Sequence, residues 1–191
     1  MLKQGAEVKA GTPLFYDKKK ERVKFTSPVS GEVVEIKRGA KRKILEVKVL
    51  ADKETRYEAF TPWTGGTDRE ALIQTLLEMG LWPFITQRPY GVIANPEDNP
   101  RDIFISAYNS APLGPDTGFL LKDEQESVQL AIDALNLLTG GDVYLGVKKG
   151  DTSFDGVKGV KKYTIQGPHP AGNVGVLIHH VKPINKGEIV W

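Results

Sequence analysis

The chain has 191 residues, 40% apolar and 26% charged, with a net charge of +2 and no cysteine. That length allows one large domain or two small ones with separate cores. The missing cysteine excludes disulfides, thiolate catalysis, Fe–S ligation and Cys-based zinc sites, and the small net charge offers no argument for nucleic acid. No apolar run reaches the roughly 18 residues of a membrane span, and no signal-peptide pattern is visible. Both ends read as cut. Residues 1–4 enter the glycine turn at 5–11 with no strand before them, and Glu188-Ile189-Val190-Trp191 stops inside a strand-like run. A piece of a longer protein is therefore expected.

Residues 7–50 read as β-structure, with strands expected at 13–16, 22–26, 31–36 and 44–50. Apolar and polar residues alternate in Val23-Lys24-Phe25 and Glu46-Val47-Lys48-Val49, and Gly, Pro and Ser clusters mark the turns between strands. Four short strands in this space predict a small sandwich over residues 1–52. Residues 37–43 hold five cations in seven positions. They suit an anionic partner surface, either an acidic protein face or lipid headgroups. The plainer reading is a charged turn that keeps a sheet edge soluble. The run lacks aromatics, which argues against single-stranded nucleic acid.

Residues 53–66, with Thr61-Pro62-Trp63 and Gly65-Gly66, read as a linker. Thr67 and Glu70 then form a capping-box pattern before the stripe Leu72, Ile73, Leu76, Leu77, and Gly80 is a natural stop, so a helix is expected over 68–79. Residues 80–90 are aromatic and interrupted by Pro83 and Pro89, so they cannot continue a regular helix.

An α/β domain is expected over residues 67–191. Ile103-Phe104-Ile105 suits a strand covered on both faces. Asp123 can cap a helix over 124–138 that turns Val128, Ala131, Ile132, Leu135 and Leu138 inward and stops at Gly140. Residues 142–147 are a second strand, completing a βαβ unit. A third strand at 163–166 leads into Gly167-Pro168-His169-Pro170-Ala171-Gly172 and then a helix face of Val174, Leu177, Ile178 and Val181. Ligands of open α/β sheets sit beyond the carboxyl ends of the strands, here residues 109–116, 148–155 and 167–172. In the last turn Pro168 and Pro170 carry no N–H, and Pro170 suits a helix start. The turn reads chiefly as a rigid helix entry, with His169 and the amides of Ala171, Gly172 and Asn173 as its ligand-competent groups.

The three histidines do not form a metal-site pattern. His179 and His180 would point about 100° apart on a helix, and His169 lies elsewhere. No nucleophile elbow, Walker sequence or G-x-G-x-x-G is present. Lys149, Ser153 and Asp155 could enter a hydrolase scheme, but no spacing favours one. Residue types alone give a two-part β plus α/β protein, more a binding module than a self-sufficient enzyme.

The turns Gly5-Ala6-Glu7-Val8-Lys9-Ala10-Gly11 and Ser27-Pro28-Val29-Ser30-Gly31 resemble the biotinyl/lipoyl sandwich family. In that family a lysine at the hairpin tip carries the cofactor. Lys18 and Lys20 are the two candidates here, in a hairpin that reads as longer than a carrier's and without a Met-Lys-Met triplet; a solvated basic hairpin without a covalent cofactor is expected.

A wider set of stretches resembles the A subunit family of the sodium-translocating NADH:quinone oxidoreductase. These are Val23-Lys24-Phe25-Thr26-Ser27-Pro28, residues 36–42, Gly80-Leu81-Trp82-Pro83, Arg88-Pro89, Ile103-Phe104, Pro112-Leu113 and residues 167–175. The resemblance implies a peripheral subunit on the cytoplasmic face of a bacterial membrane complex, held there by partner subunits and touching the membrane only indirectly. NADH, flavins and ubiquinone would act at the level of the complex, with no cofactor bound by this segment. It further implies quinone interaction, for which Trp82, Phe84, Arg88, Gly167, His169 and Gly172 are the candidate quinone or anion contacts. The α/β part is similar to the Rossmann-like flavin/NADH domain of the flavoprotein subunit of respiratory complex I and to the C subunit of the Rnf family. Those relatives carry a glycine-rich flavin loop where this chain has residues 80–89. Bulky and ring-locked residues replace two of its glycines, so flavin mononucleotide binding is expected to be lost. An FMN/NADH-binding electron-input domain and a biotin- or lipoate-type carrier are the alternatives.

Overall fold

The computed structural model describes residues 2–191. Two compact units emerge from its contacts: residues up to Trp63 with Glu70–Ile85, and Thr64–Arg69 with Thr86–Trp191.

The first unit is built on short strands whose apolar residues alternate. They are β1 (Glu7–Val8), β2 (Pro13–Asp17), β3 (Lys20–Thr26), β4 (Gly31–Arg38) and β5 (Ile44–Ala51). These strands pair antiparallel, in the order β1-β4-β5 with a separate β2-β3 hairpin. Val8, Leu14, Val23 and Val33 are buried, and each such side chain contributes about 1.5–3 kcal/mol relative to exposure. Gly31 has φ +146, and a Cβ there would meet the Leu50 carbonyl oxygen at 1.9 Å, so only glycine lets β4 approach β5 at this point. The β2-β3 hairpin turns through Lys18 and Lys19, both exposed, while Lys20 already pairs with Asp17. The hairpin is therefore tight, not extended, and its tip lysines are Lys18 and Lys19.

Part of the expected linker is bonded to this unit. Ala10 exchanges backbone hydrogen bonds with Arg56 and Glu58, Thr12 donates to the Glu58 carboxylate, and Arg56 binds Asp52 and Glu7. Helix α1 (Arg69–Glu78) also packs in this unit. Glu70 of α1 binds Arg22 of β3 at 2.6 Å. The helix ends as expected at Gly80, whose amide bonds the Leu77 carbonyl while that of Leu81 bonds Leu76, the Schellman pattern. A 3-10 turn over Trp82–Phe84 follows and seats Trp82 in the core.

The second unit begins with a small hairpin, β6 (Thr86–Gln87) and β7 (Val92–Ile93). Its main sheet holds β8 (Ile103–Ser106), β9 (Val143–Lys148) and β10 (Lys161–Ile165), all parallel, in the order β10-β9-β8. A βαβ unit was expected here and is present, with α3 (Gln125–Leu138) between β8 and β9. Glu124, not Asp123, is the N-cap of α3, and Ala131 faces solvent. The helix ends at Leu138 as expected, with Gly140 just past its C-cap Thr139, whose hydroxyl donates to the Pro100 carbonyl and accepts from the Gly141 amide. A short helix not anticipated from the sequence, α2 (Thr117–Leu120), is capped by Asp116. Helix α4 (Val174–Val181) buries Leu177 and Ile178 as its spacing predicts.

The end of the chain completes the sheet's logic. Arg101 donates to the Ile189 carbonyl and Phe104 to that of Trp191, so this segment runs alongside β8 in the same direction. The sheet itself has the order β10-β9-β8, and ligands of open parallel sheets lie beyond the carboxyl ends of the strands.

Candidate functional site at the carboxyl ends of the parallel strands

Three loops leave the carboxyl ends of β8, β9 and β10. The first, residues 107–116, is tied to the third through Gly172. The Gly172 amide donates to Ser110 Oγ at 2.8 Å, and Ser106 Oγ donates to the Gly172 carbonyl at 2.6 Å. A Cβ at Gly172 would meet the Tyr108 carbonyl oxygen at 2.3 Å. Glycine is thus required where the turn presses against the end of β8.

The same contacts orient His169. Ser110 Oγ lies 3.2 Å from His169 Nδ1 while accepting from Gly172, so its own proton is free to point at Nδ1. In the neutral imidazole this leaves Nε2–H as a donor facing solvent. The turn is no anion cradle. Ala171 donates to the Pro168 carbonyl, Asn173 to Pro170 and Gly172 to Ser110. The three amides expected to meet a ligand are all used within the protein. Pro170 also lies outside the helix it was expected to start, since Asn173 is the N-cap of α4.

Two clefts open on this unit. The first lies beyond β8 and β9 and is lined by Tyr108, Asn109, Asp116, Thr117, Lys148 and Asp151. Its room is about 90 Å³, enough for a few waters and well short of a nucleotide. Its charged groups serve the fold: Asp116 caps α2, Asp151 accepts from the Ser153 amide, and Lys148 sits 5.9 Å from the Tyr108 ring. The second cleft, about 320 Å³, lies between β10 and α4. Ile165, Ala171, Leu177 and Val181 give it an apolar floor, with Tyr163, Gln166 and His180 at its margin. That size and character fit a small, largely apolar ligand.

At the opposite, amino-terminal end of the sheet is a charge cluster. Asp102 is fully buried and accepts from Lys182 Nζ, Arg101 Nε and the Asp142 amide. Burial pushes its carboxyl up, but these three donors together outweigh burial and hold it below the usual range. Lys161 holds Asp142 down in the same way, and Glu188 is held down first by the Asn185 amide. These groups tie β8, β9, β10 and α4 together.

The six candidate residues are divided between the two units. Trp82 and Phe84 belong to the first unit, where Trp82 is fully buried and Phe84 is 82% exposed. Trp82 is thus a core side chain with no face for a ligand. Arg88 is in the second unit, its backbone paired with Val190. Gly167, His169 and Gly172 share the turn beside Ser110. The Ser110–His169 contact spans 59 residues, and no local pattern signals it. In residues 80–85 the amides of Gly80, Leu81, Phe84 and Ile85 bond within the segment and the helix before it, and Pro83 has none. Among the described residues no group of three or more His, Asp or Glu is placed to hold a metal ion. Nor is any helix among them long and apolar enough to cross a membrane.

Fold and site thus define a two-part protein, a small β module followed by an α/β domain with a parallel sheet. Similarity to known proteins has the same division. Residues 1–52 match the family described as the NqrA N-terminal barrel-sandwich hybrid domain, and residues 67–191 match the NqrA second alpha/beta domain. The chain belongs to the NqrA family, that of the A subunit of the Na(+)-translocating NADH-quinone reductase. It is 35% identical to that protein from Rhodopirellula baltica over 197 aligned residues and from Vibrio vulnificus over 195, covering 100% of this chain and 43% of each relative. The relative from Aliivibrio salmonicida is 34% identical over 96% of this chain and 42% of its own length. The chain therefore spans less than half the length of the relatives it matches.

Proposed function

We propose that this chain is part of a peripheral subunit of a sodium-pumping NADH:quinone oxidoreductase, contributing to quinone interaction and assembly with the other subunits and binding no flavin of its own. The observation that carries the reading is its similarity, along its whole length and through both domains, to the NqrA component of that reductase. Supporting a flavin-free reading, the amides of Gly80, Leu81, Phe84 and Ile85 and of residues 171–173 are bonded within the protein.

The cleft between β10 and α4 is the quinone contact in this reading. Its apolar floor matches an apolar ring, and the Gly167 turn with His169 stands at its border. Phe84 and Arg88 remain candidate contacts on their own segments. NADH and flavin chemistry would reside on partner subunits, and attachment to the inner face of the membrane would run through them. Photoreactive quinone applied to the membrane complex should label residues 163–181, and Val176→Trp, which fills the cleft, should cut that labelling several-fold. Label confined to other subunits removes the quinone contact and leaves the assembly role. Micromolar, stoichiometric binding of FMN to the purified chain would overturn the flavin-free reading.

A further inference from the structure

The hairpin joining β4 to β5 concentrates positive charge. Residues 35–48 hold six cations and two carboxylates, a net +4 against +2 for the whole chain, so the remainder is net −2. Both carboxylates, Glu35 and Glu46, bind Lys48 at the base of the hairpin. Lys41, Arg42 and Lys43 stand exposed at its tip.

The backbone shows that these cations are held there at a cost. Lys41 has φ +54 and Arg42 φ +61, two consecutive non-glycine residues in the left-handed region. Hairpin tips that need this conformation ordinarily take Asn or Gly. Here Arg38 Nη1 donates to the Arg42 carbonyl and helps fix the turn. Beside the cations is Leu45, 57% exposed, its side chain lying over Gly39 at 3.0–3.2 Å from where a Cβ would be. Cations around an exposed leucine at a protruding tip are suited to a surface with anionic headgroups above and apolar chains beneath.

We infer that the β4-β5 tip is a docking surface for an anionic lipid bilayer, with Lys41, Arg42 and Lys43 on the headgroups and Leu45 at the acyl boundary. This direct contact would add to the attachment through partner subunits, stands apart from the quinone reading, and is tested without quinone. Purified chain is floated with vesicles of phosphatidylcholine alone or with one third phosphatidylglycerol. Binding is expected to the anionic vesicles only, falling steeply as salt is raised. Lys41→Glu with Arg42→Glu should lower the partition constant roughly tenfold or more. Leu45→Ser should lower it a few-fold while preserving the salt dependence. The decisive variant is Lys41→Asn with Arg42→Gly, which relieves the backbone and removes two charges: its melting temperature should be unchanged or higher while vesicle binding falls, by less than in the charge-reversed variant. Equal binding to neutral and anionic vesicles overturns the inference. So does binding to neither, including the case in which the chain instead binds an acidic polypeptide through the same residues.

Discussion

Gly172 shows how much of this protein is decided at single positions. Its amide, its carbonyl and the space where a side chain would stand are all taken by the loop after β8. Gly172→Ala should destabilise the second unit by about 1–3 kcal/mol and release His169 from Ser110, read as a lowered urea midpoint and a changed histidine NMR signal. Asp102 is the other such position. Asp102→Ala removes the buried acceptor shared by Arg101, which keeps Glu188, and the 41% exposed Lys182, and should cost about 1–2 kcal/mol because solvent screens the lysine. Neither effect was visible in the sequence: Gly172 lies 62 residues from Ser110 and Asp102 lies 80 from Lys182. Local patterning reports neighbours along the chain, and these partners meet only when strands and loops converge.

At the scale of elements the outcome was largely legible. The four sandwich strands, the βαβ unit, the α4 stripe and the Gly80 stop all follow from periodicity and from glycine's freedom at positive φ. Gly80→Ala tests the stop. The residue has φ +70, and a Cβ would approach Thr26 Cγ2 to 2.5 Å, so a loss of about 1–2 kcal/mol is expected by thermal unfolding, with Thr26→Ala relieving part of it. The capping residue of α3 was misread by one position: Asp123 is a good N-cap by type, yet Glu124 holds that place. Helix ends commonly differ from local signals by a residue or two.

For the whole molecule, the two units divide the chain differently from its sequence. Helix α1 and Trp82 follow the composition break at 53–66 and lie within the residues matching the second family domain, yet they pack in the first unit. A fragment of residues 1–85 should therefore unfold cooperatively at a higher temperature than one of residues 1–63, which loses the buried Leu72, Ile73, Leu77 and Trp82. The pH dependence also belongs to this scale. Asp102, Asp142 and Glu188 sit below their ordinary values, so their contribution is complete above about pH 4 and is lost as pH falls through the lowered values. Lys161 and Lys182 are raised, chiefly by their bonds to Asp142 and Asp102. Their contribution is complete below about pH 10 and is lost as pH rises past it. Chemical denaturation across pH should show a plateau between these limits, and Asp102→Asn should flatten its acid side.

By itself the sequence determined the secondary structure, the two-part architecture and the family, because each of these is written in local periodicity, turn chemistry and residue motifs. Only the tertiary structure decided that the Gly167 turn spends its amides on the protein, that Trp82 is core and that α1 belongs with the sandwich. Those outcomes depend on which distant donor or apolar surface reaches a residue first. Spacing along the chain carries no record of that competition.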